Sequence, residues 1–456
     1  MEFDAIVIGS GQAGVPLATR LARSGKKVLL AERGELGGTC TNTGCTPTKT
    51  LVASARAAHV ARTAGRLGIR TEAVHVDFPA VIARKDGIVR TWQEGVARRI
   101  AGAGANLRLV RGHARLAGEG TVEVGGERHG AAVVILNVGA RPVEPAIPGL
   151  GTVPWLDNRR VMQLRELPSH LVVIGGGYVG CEFAQAYRRF GSTVTIVEPG
   201  AHLLGHEDVE ASEAIEGVFR DEGIALVLGA RAEKVSRASS GVSVRLSTGG
   251  AVEGSHLLVA TGRRPNTDDL GCEVADVRLD GRGFVEVDDR YRTSAPGVYA
   301  VGDCTGGPQF THAAWDDHRL LFDVLAGRPG RGRKDRLVPY TAYTDPQVAG
   351  VGLTEREARA KGLRYEVTTL PFAHIARAIE TDEKAGVLKV LLDPSTERIL
   401  GASIVGAEAG ELIHVFVALM QAGAPARAIV EMEAVHPSFA EGLQSVVMTL
   451  ERYALS

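Results

Sequence analysis

Two cysteines, Cys40 and Cys45, lie close together in the segment GGTCTNTGCTPTKT (37–50). A disulfide between thiols at this spacing closes a short loop, and such a pair can take up and release two electrons. Gly44 admits an unusual backbone there, and Pro47 suits the first turn of a helix that starts near Cys45 and favours its thiolate. The spacing therefore indicates a redox disulfide. Two other interpretations are a pair of inert buried thiols and a metal site, although no further ligands stand at suitable spacing.

A glycine-rich turn with the pattern G-x-G-x-x-G precedes the cysteines. Its unit consists of the strand FDAIVIG (3–9), the turn glycines Gly9, Gly11 and Gly14, the helix 15–25, and the strand 27–32, which ends at Glu32. Such glycines let the backbone approach a pyrophosphate, and the following helix offers it free N–H groups. The terminal acid can accept hydrogen bonds from ribose hydroxyls. The pattern predicts a βαβ unit that binds a dinucleotide.

The same pattern recurs further along the chain. Its members are the strand and turn LVVIGGGYVG (171–180) with Gly175, Gly177 and Gly180, the helix 181–191, and the strand 193–198, which ends at Glu198. In both copies the acid stands 23 residues after the first glycine. This repeat predicts two Rossmann-like dinucleotide-binding domains in one chain.

Position and charge assign a cofactor to each unit. Because the cysteines follow the first βαβ unit directly, we expect a flavin there, with its ring near sulfur, and a nicotinamide dinucleotide at the second βαβ unit. The Glu198 carboxylate would repel a 2′-phosphate, and no Arg or Lys occurs in PGAHLLGHED (199–208) to attract one. The sequence therefore favours NADH over NADPH.

The rest of the chain completes an α/β architecture. Two echoes, ILNVGARP (135–142) and LVATGRRP (258–265), share an apolar strand followed by G-x-R-P, and GVYAVGDCTGGP (297–308) reads as a further buried strand. A helix is expected over 312–327, and the turn-rich segment 328–336 reads as a linker. The chain beyond Pro339 alternates amphipathic strands and helices without a third fingerprint, which predicts an α+β domain. Its clearest elements are VPYTAYT, GVLKVLLD (386–393), ILGASIVG (399–406) and ELIHVFVALMQAG (411–423).

Composition limits the classes of function. The 456 residues exceed one hydrophobic core, and 52 Lys+Arg against 53 Asp+Glu give no support for binding nucleic acid or an anionic membrane. A strand begins almost at the first residue and no long apolar run occurs, so neither a signal peptide nor a membrane span is expected. Five cysteines do not form a secreted disulfide scaffold, and Cys181, Cys272 and Cys304 read as structural. We expect a cytoplasmic enzyme.

Near the C-terminus, VHPSFAE supplies His436 and, five residues later, Glu441. Thiol–disulfide exchange needs a base that deprotonates one thiol and reprotonates a leaving sulfur. A carboxylate behind an imidazole fixes its tautomer and stabilises its cation. The pair is therefore a candidate acid–base; the alternative is an ordinary loop histidine.

These motifs together resemble the class I pyridine nucleotide-disulfide oxidoreductases, the flavoprotein group that includes dihydrolipoamide dehydrogenase, glutathione reductase and mercuric reductase. The resemblance covers essentially the whole chain, and it is carried, in the family's order, by GSGQAG, GGTCTNTGCTPTK, GGGYVGCE, ATGRRPN, YAVGDC, TDPQVAGVGLT and HPSFAE.

The resemblance implies a role for each matching residue. Cys40 would be the interchange thiol that meets the substrate, and Cys45 the charge-transfer thiol against the flavin. Lys49 and Glu182 would form an ion pair beside the flavin, and Tyr178 would gate the nicotinamide site. An ordinary ion pair and simple packing are the alternatives for these last three residues. Further contacts to the cofactors are implied for Gly38, Thr39, Gly139, Gly262 and Asp303, the last of which would hydrogen-bond the FAD linker.

The resemblance also implies a homodimer with a specific division of the chain. The expected segments are 1–145 (FAD, first segment), 146–265 (NAD(P)), 266–336 (FAD, second segment) and 337–456 (dimerisation). In such a dimer, His436 and Glu441 would act on the partner subunit's Cys40. His436-Pro437 resembles the family's cis peptide, a bond that costs little before proline.

The predicted activity is FAD-dependent transfer of electrons between NADH and a small disulfide or dithiol through Cys40 and Cys45. No cysteine follows Cys304, so the C-terminal cysteine pair of mercuric reductases is absent and thiol exchange is favoured. The alternatives are a mercuric-reductase-like metal-ion reductase, a flavin NADH oxidase or quinone reductase with accessory thiols, and a dihydrolipoamide dehydrogenase-type subunit of a larger complex.

Overall fold

The structure, a computed structural model, describes residues 2–239 and 241–454. The chain forms two compact units, each assembled from separate stretches of sequence. Unit 1 comprises 1–50, 82–143 and 262–336, and unit 2 comprises 51–81, 144–261 and 337–456. In the described ranges, no helix combines the length and the apolar character needed to cross a membrane.

The secondary structure alternates strands and helices along most of the chain. The strands are β1 (Phe3–Ile8), β2 (Val28–Glu32), β3 (Leu107–Arg111), β4 (Ala114–Leu116), β5 (Thr121–Val124), β6 (Glu127–Leu136), β7 (Ala140–Pro142), β8 (His170–Ile174), β9 (Thr193–Glu198), β10 (Ile224–Leu228), β11 (Ala232–Ala238), β12 (Gly241–Leu246), β13 (Ala251–Gly254), β14 (His256–Val259), β15 (Arg263–Pro265), β16 (Val298–Ala300), β17 (Tyr340–Ala342), β18 (Gln347–Gly352), β19 (Glu366–Pro371), β20 (Val387–Leu392) and β21 (Ile399–Gly406). The helices are α1 (Gly14–Arg23), α2 (Gly38–Thr43), α3 (Cys45–Thr63), α4 (Phe78–Ala101), α5 (Tyr178–Phe190), α6 (Val209–Asp221), α7 (Thr311–Leu325), α8 (Glu355–Ala360), α9 (Ala376–Thr381), α10 (Ala409–Ala422), α11 (Arg427–Val430) and α12 (Glu441–Met448).

Unit 1 is built on a sheet whose central strands are parallel. The order is β3-β2-β1-β6-β5-β4, with β16 also paired to β6. Strand β1 is almost continuously apolar, and its residues Ile6 and Val7 are fully buried. They belong to two different hydrophobic clusters, as expected for a strand that is covered on both faces. The carboxyl ends of β1 and β2 lie side by side, which brings the first glycine turn next to Glu32.

Unit 2 contains a second parallel sheet, with the order β10-β9-β8-β14, and a three-stranded antiparallel sheet, β11-β12-β13. Its C-terminal part is an antiparallel sheet with the order β17-β18-β21-β20-β19. Helix α10 packs on β18 and β21, and Ile404, Ile413 and Phe416 are buried in the core between them.

The predicted fold class, α/β with two Rossmann-like domains and a C-terminal α+β domain, agrees with this architecture. The first βαβ unit is observed within two residues of its predicted bounds. In the second βαβ unit the helix begins at Tyr178, three residues before the predicted start, because it follows Gly177 of the glycine turn directly. The C-terminal strands and the helix expected over 411–423 are also present, the helix as Ala409–Ala422. The division into four segments stays a prediction.

Candidate active site

The first glycine turn admits no larger residue at two of its three positions. Gly9 has φ +104°, and a Cβ on it would lie 2.3 Å from the backbone oxygen of Asn137. A Cβ on Gly14 would lie 2.0 Å from the backbone oxygen of Gly9, because α1 starts directly against the end of β1. At the third position, a Cβ on Gly11 would lie 3.1 Å from Nδ2 of Asn137. Gly9 and Gly14 are therefore required by the close packing of the turn itself.

The second turn repeats this geometry. Gly175 has φ +108°, and a Cβ on Gly180 would lie 2.0 Å from the backbone oxygen of Gly175. At Gly177, however, a Cβ would meet no protein atom within 4 Å. Gly177 is exposed and stands directly before the first residue of α5. Packing within the protein therefore does not require glycine at this position. A glycine here lets a ligand such as a pyrophosphate approach the backbone closely.

The two acids predicted to contact ribose, Glu32 and Glu198, each lie beside a glycine turn. Oε2 of Glu32 accepts hydrogen bonds from N and Oγ of Ser10, at 2.9 and 2.6 Å. Oε2 of Glu198 accepts a hydrogen bond from N of Gly176 at 2.7 Å, and its Oε1 accepts another from N of Gly200 at 2.7 Å. Both carboxylates are thus held by the glycine turn beside them. Since each carboxylate oxygen has two lone pairs, acceptor capacity is left for ribose hydroxyls.

The two G-x-R-P echoes form one hairpin-like contact in unit 1. Strands β7 and β15 pair antiparallel, directly after Gly139 and Gly262, which have φ +66° and +124°. Arg263 donates one hydrogen bond to Oδ2 of Asp303 at 2.7 Å and another to the backbone oxygen of Ala140 at 3.0 Å. The structure therefore brings together three residues that the sequence proposed for cofactor contacts.

The helix that carries Cys40 is attached to the first glycine turn. N of Gly37 donates a hydrogen bond to Oγ of Ser10 at 3.2 Å, in a buried position. A Cβ on Gly38 would lie 2.8 Å from Cα of Gly11, and Gly38 has φ +63°. The start of α2, from Gly38 through Thr39, thus packs directly on the turn. Whatever the first turn binds lies next to the helix of Cys40.

Cys40 and Cys45 lie in contact as a pair of thiols. Cys40 is on α2, Cys45 is the first residue of α3, and Gly44 separates the helices. A Cβ on Gly44 would lie 2.8 Å from the backbone oxygen of Thr39, so only glycine lets α3 fold back this closely. The hydrogen bond to Cys45, then burial, raises the pKa of the Cys40 thiol well above its usual range. Cys40 therefore keeps its proton, and the helix N-terminus favours a thiolate at Cys45.

Thr311 is a residue of this site that the sequence did not reveal. Its hydroxyl lies 3.2 Å from Sγ of Cys45, although the two residues are 266 positions apart. Thr311 is the first residue of α7, so the start of this helix positions its hydroxyl next to Cys45. A hydroxyl donor at this distance stabilises a thiolate.

Replacing Thr311 with valine should slow alkylation of Cys45. The Cys45 thiolate loses a donor in Thr311→Val, so we expect iodoacetamide to modify Cys45 about tenfold more slowly at neutral pH. The rate is measured on the reduced protein by peptide mass spectrometry. Thr91→Val is the matched control, because the Thr91 hydroxyl donates to the backbone oxygen of Gly87 on an exposed face of unit 1. An unchanged rate in Thr311→Val would show that the contact does not tune Cys45.

The other three cysteines are buried. Cys181, Cys272 and Cys304 are 0, 2 and 0% exposed. Burial raises the pKa of Cys272 to about 11 and that of Cys304 to about 12. Thiols in these surroundings stay protonated and unreactive. Their positions agree with the structural role expected for them.

The C-terminal pair predicted from HPSFAE is formed. Nδ1 of His436 lies 2.8 Å from Oε1 of Glu441, and Oε2 of Glu441 accepts a hydrogen bond from N of Ser438 at 2.8 Å. The Ser438 N–H and then His436 lower the pKa of the Glu441 carboxyl. The peptide bond between His436 and Pro437 is cis. With Nδ1–H donated to the carboxylate, Nε2 is left to exchange a proton, and the side chain of His436 is 71% exposed.

Three further predicted residues have defined surroundings. Tyr178 donates its hydroxyl hydrogen to Oε1 of Glu207 at 2.8 Å. Glu182 is 4% exposed, and its Oε1 accepts a hydrogen bond from N of Tyr343 at 2.8 Å. Lys49 is half-buried on α3. The ion pair between Lys49 and Glu182 stays a prediction.

Two polar residues that support the glycine turns were missed by the sequence reasoning. Ser10 bonds both Glu32 and Gly37, and Nδ2 of Asn137 donates to the backbone oxygen of Gly9 at 3.1 Å. A signal for Asn137 was present, since the first echo has Asn137 where the second has Ala260. A polar residue at the end of a buried strand needs a partner, and the neighbouring turn provides it.

Comparison with known proteins identifies the family. Residues 3–317 match the model of the pyridine nucleotide-disulphide oxidoreductases, and residues 338–447 match the dimerisation domain of the same family. The chain belongs to this family. It is a flavoprotein NAD(P)H-dependent disulfide oxidoreductase that uses FAD, and its dimerisation domain makes it a homodimer.

Several relatives match nearly the whole chain. The probable pyridine nucleotide-disulfide oxidoreductase RclA of Escherichia coli is 36% identical over 98% of this chain and 98% of its own length. The dihydrolipoyl dehydrogenase of Thermus scotoductus is 37% identical over 99% of this chain and 98% of its own. Among solved structures, the Cu(II) complex of the HOCl-induced flavoprotein disulfide reductase RclA from Escherichia coli superposes with a TM-score of 0.90, at 36% identity, over 98% of this chain and 100% of that one.

Proposed function

We propose that this enzyme transfers electrons between NADH and a small disulfide or dithiol, with Cys40 and Cys45 as the group that meets the substrate. One observation carries the proposal. The helix of Cys40 packs on the first dinucleotide turn at Gly11, and the Cys40 thiol is hydrogen-bonded to that of Cys45. A redox pair held against a flavin site is the arrangement that this chemistry requires.

The residues of the pair have unequal tasks. The residues of the first glycine turn would hold FAD, which would supply two electrons from NADH to the Cys40–Cys45 disulfide. The Cys40 thiolate then attacks the substrate disulfide, forms a mixed disulfide and releases one substrate thiol. Cys45 attacks Cys40 in turn, which releases the second substrate thiol and restores the Cys40–Cys45 disulfide. Two protein thiols are oxidised for each substrate disulfide that is reduced, and the same steps in reverse oxidise a dithiol.

We assign the proton transfers of this exchange to His436. Because its pKa is raised, Cys40 needs a base before it can attack, and the leaving substrate sulfur needs an acid. His436 is exposed, and Glu441 holds its Nδ1. In the dimer we place this pair at the partner subunit's Cys40.

The two dinucleotides are assigned to different parts of the chain. We propose FAD for the segments 1–145 and 266–336, NADH for 146–265, and the dimer contact for 337–456. Contacts to FAD are proposed for Gly9, Gly11, Gly14, Glu32, Gly38, Thr39, Gly139, Asp303 and Lys49, and for Glu182 of the NADH segment as the ion-pair partner of Lys49. Contacts to NADH are proposed for Gly175, Gly177, Gly180, Glu198, Gly262 and Tyr178. We propose the cytoplasm as the compartment, since the pair must work as free thiols for part of each cycle.

The substitution Gly177→Ala should weaken NADH binding without affecting folding. The new Cβ meets no protein atom within 4 Å and the glycine φ of −77° suits alanine, so Gly177→Ala should fold and retain FAD. The methyl group occupies the approach of the pyrophosphate, so we expect the Kd for NADH to rise at least about tenfold. Gly217→Ala is the control, because Gly217 lies on α6 and is likewise unobstructed. Unchanged NADH binding in Gly177→Ala would place the nucleotide elsewhere.

The enzyme should prefer NADH to NADPH. The Glu198 carboxylate, which we assign to the ribose, accepts hydrogen bonds from two backbone N–H groups that hold it in place, where it would oppose a 2′-phosphate. Repulsion between the carboxylate and the 2′-phosphate weakens the binding of NADPH. We therefore expect kcat/KM for NADH to exceed that for NADPH at least about tenfold. Steady-state rates with both nucleotides and one disulfide decide this. Equal values would contradict the role given to Glu198.

The acceptor class is tested with a panel on the FAD-loaded dimer. We expect turnover with small disulfides, or in reverse with dithiols, and loss of that turnover in Cys40→Ser. Full activity of Cys40→Ser with a quinone, oxygen or a metal ion such as Hg(II) or Cu(II), and none with any disulfide, would favour an oxidase, quinone reductase or metal-ion reductase. Co-purification with an acyl-transfer partner, with little free turnover, would favour a subunit of a larger complex.

A further inference from the structure

A buried carboxylate in unit 2, that of Glu207, joins two tyrosines. Its Oε1 accepts a hydrogen bond from the hydroxyl of Tyr178 at 2.8 Å, and its Oε2 accepts one from the hydroxyl of Tyr340 at 2.8 Å. Glu207 is 4% exposed, and the two tyrosine rings stack with their centroids 6.0 Å apart. Burial, then the Glu207 charge, raises the pKa of both phenols, so both remain donors.

The loop that carries Glu207 is held by several other bonds. N of Leu204 donates to the backbone oxygen of Gly176 at 2.8 Å. The guanidinium of Arg356 donates to the backbone oxygens of Gly205 and His206 at 2.9 and 3.0 Å. The backbone of the three residues directly before Glu207 is therefore held in place. The position of the Glu207 carboxylate does not depend on the tyrosines alone.

Tyr340 is also fixed, whereas Tyr178 borders the nucleotide turn. Tyr340 lies on β17 opposite Gly350 of β18, and a Cβ on Gly350 would come 2.4 Å from the Tyr340 hydroxyl oxygen. The Tyr340 ring therefore lies over the backbone of Gly350. Tyr178 is the first residue of α5, is half-buried, and follows the exposed Gly177. Of the two phenols, that of Tyr178 is the one beside the nucleotide turn.

We propose that Glu207 is a positioning residue of the nucleotide site, which holds the Tyr178 phenol in place until the nicotinamide breaks the Tyr178–Glu207 hydrogen bond. The inference rests on the proposed function, in which the second glycine turn binds NADH. The bond to Glu207 then opposes nicotinamide binding, because a ligand must supply the free energy that separates the phenol from a buried charge. Binding of the adenosine half of the nucleotide does not require this hydrogen bond to break.

The two tyrosines should affect binding in opposite directions. Tyr178→Phe removes the bond that must be broken, so the nicotinamide dinucleotide binds more tightly. Tyr340→Phe leaves the Glu207 charge with one donor fewer, so the remaining bond to Tyr178 strengthens and the dinucleotide binds more weakly. Loss of a structural contact alone would not produce effects of opposite sign.

The test is calorimetric titration of the FAD-loaded dimer with NAD⁺ and with ADP-ribose, which lacks the nicotinamide. We expect the Kd for NAD⁺ to fall about threefold to tenfold in Tyr178→Phe and to rise by a similar factor in Tyr340→Phe, with ADP-ribose unchanged in both. Glu207 itself is left intact, because a buried carboxylate is a poor site for a first substitution. Tyr453→Phe is the control, since it removes a comparable bond from tyrosine to Glu397 at 2.7 Å.

Each outcome decides the inference. Shifts of the same sign, no shift, or equal shifts for ADP-ribose would overturn the role of Glu207 while leaving the proposed function standing. A parent enzyme that binds neither NAD⁺ nor ADP-ribose would overturn the nucleotide assignment and the inference with it. Opposite shifts confined to NAD⁺ would establish both.

Discussion

Serine at Cys40 or at Cys45 is expected to lower NADH-dependent disulfide reduction at least about a thousandfold, because each variant removes a sulfur that forms a covalent intermediate. The loss should be confined to steps that involve sulfur. NADH should still reduce bound FAD in both variants, since the glycine turns and Glu198 are untouched. Stopped-flow absorbance of the flavin and steady-state turnover with a small disulfide measure the two quantities separately.

The matched control for this prediction is Cys272→Ser. Cys272 is buried in the core of unit 1, and burial raises its pKa to about 11, so it takes no part in exchange. We expect this variant to keep disulfide turnover. Retention of that turnover in either Cys40→Ser or Cys45→Ser would remove the pair from the mechanism.

Glutamine at His436 should lower disulfide turnover by about a hundredfold to ten-thousandfold, the usual effect of removing a general acid–base. Cys40 is affected most, because its raised pKa leaves little thiolate without a base. Reduction of the Cys40–Cys45 disulfide by NADH should continue. His75→Gln serves as control, since His75 is exposed and is assigned no role. A loss of turnover below about threefold in His436→Gln would rule out a proton-transfer role for it.

Mixed dimers test whether His436 acts across the subunits. A Cys40→Ser subunit paired with a His436→Gln subunit contains one site with both residues intact, if each site combines the two chains. Such dimers should therefore regain about half of the parent turnover, as expected for a two-fold symmetric dimer with two equivalent sites. Sites built within one chain would all be defective, and the mixture would stay inactive.

The parts of the fold that the sequence predicted best are those encoded locally. The first βαβ unit follows from Gly9, Gly11 and Gly14, because a turn in which two positions admit no Cβ can be recognised from glycine spacing alone. The start of α5 was placed at Cys181 and lies at Tyr178. Helix boundaries are less certain because several residues around a glycine turn can begin the helix equally well.

The parts of the site that could not be predicted depend on tertiary contacts. The contact of Cys45 with Thr311 joins residues 266 positions apart, and a threonine at a helix start has no local pattern that points to sulfur. Glu207 likewise stands in a loop, and its partner Tyr340 is 133 positions away. Cys40, Cys45, His436 and Glu441 were predicted because their chemistry restricts the residue type. Supporting contacts can be made by many residue types, so the sequence does not single them out.

The most direct test of the central claim counts thiols on the FAD-loaded dimer without oxygen. We expect the oxidised enzyme to show Cys40 and Cys45 protected from iodoacetamide, and about one equivalent of NADH per subunit to make both alkylatable, since the disulfide is a two-electron couple. Peptide mass spectrometry locates the modified residues. Loss of flavin absorbance with Cys40 and Cys45 still protected, or full alkylation of both before NADH is added, would contradict the account.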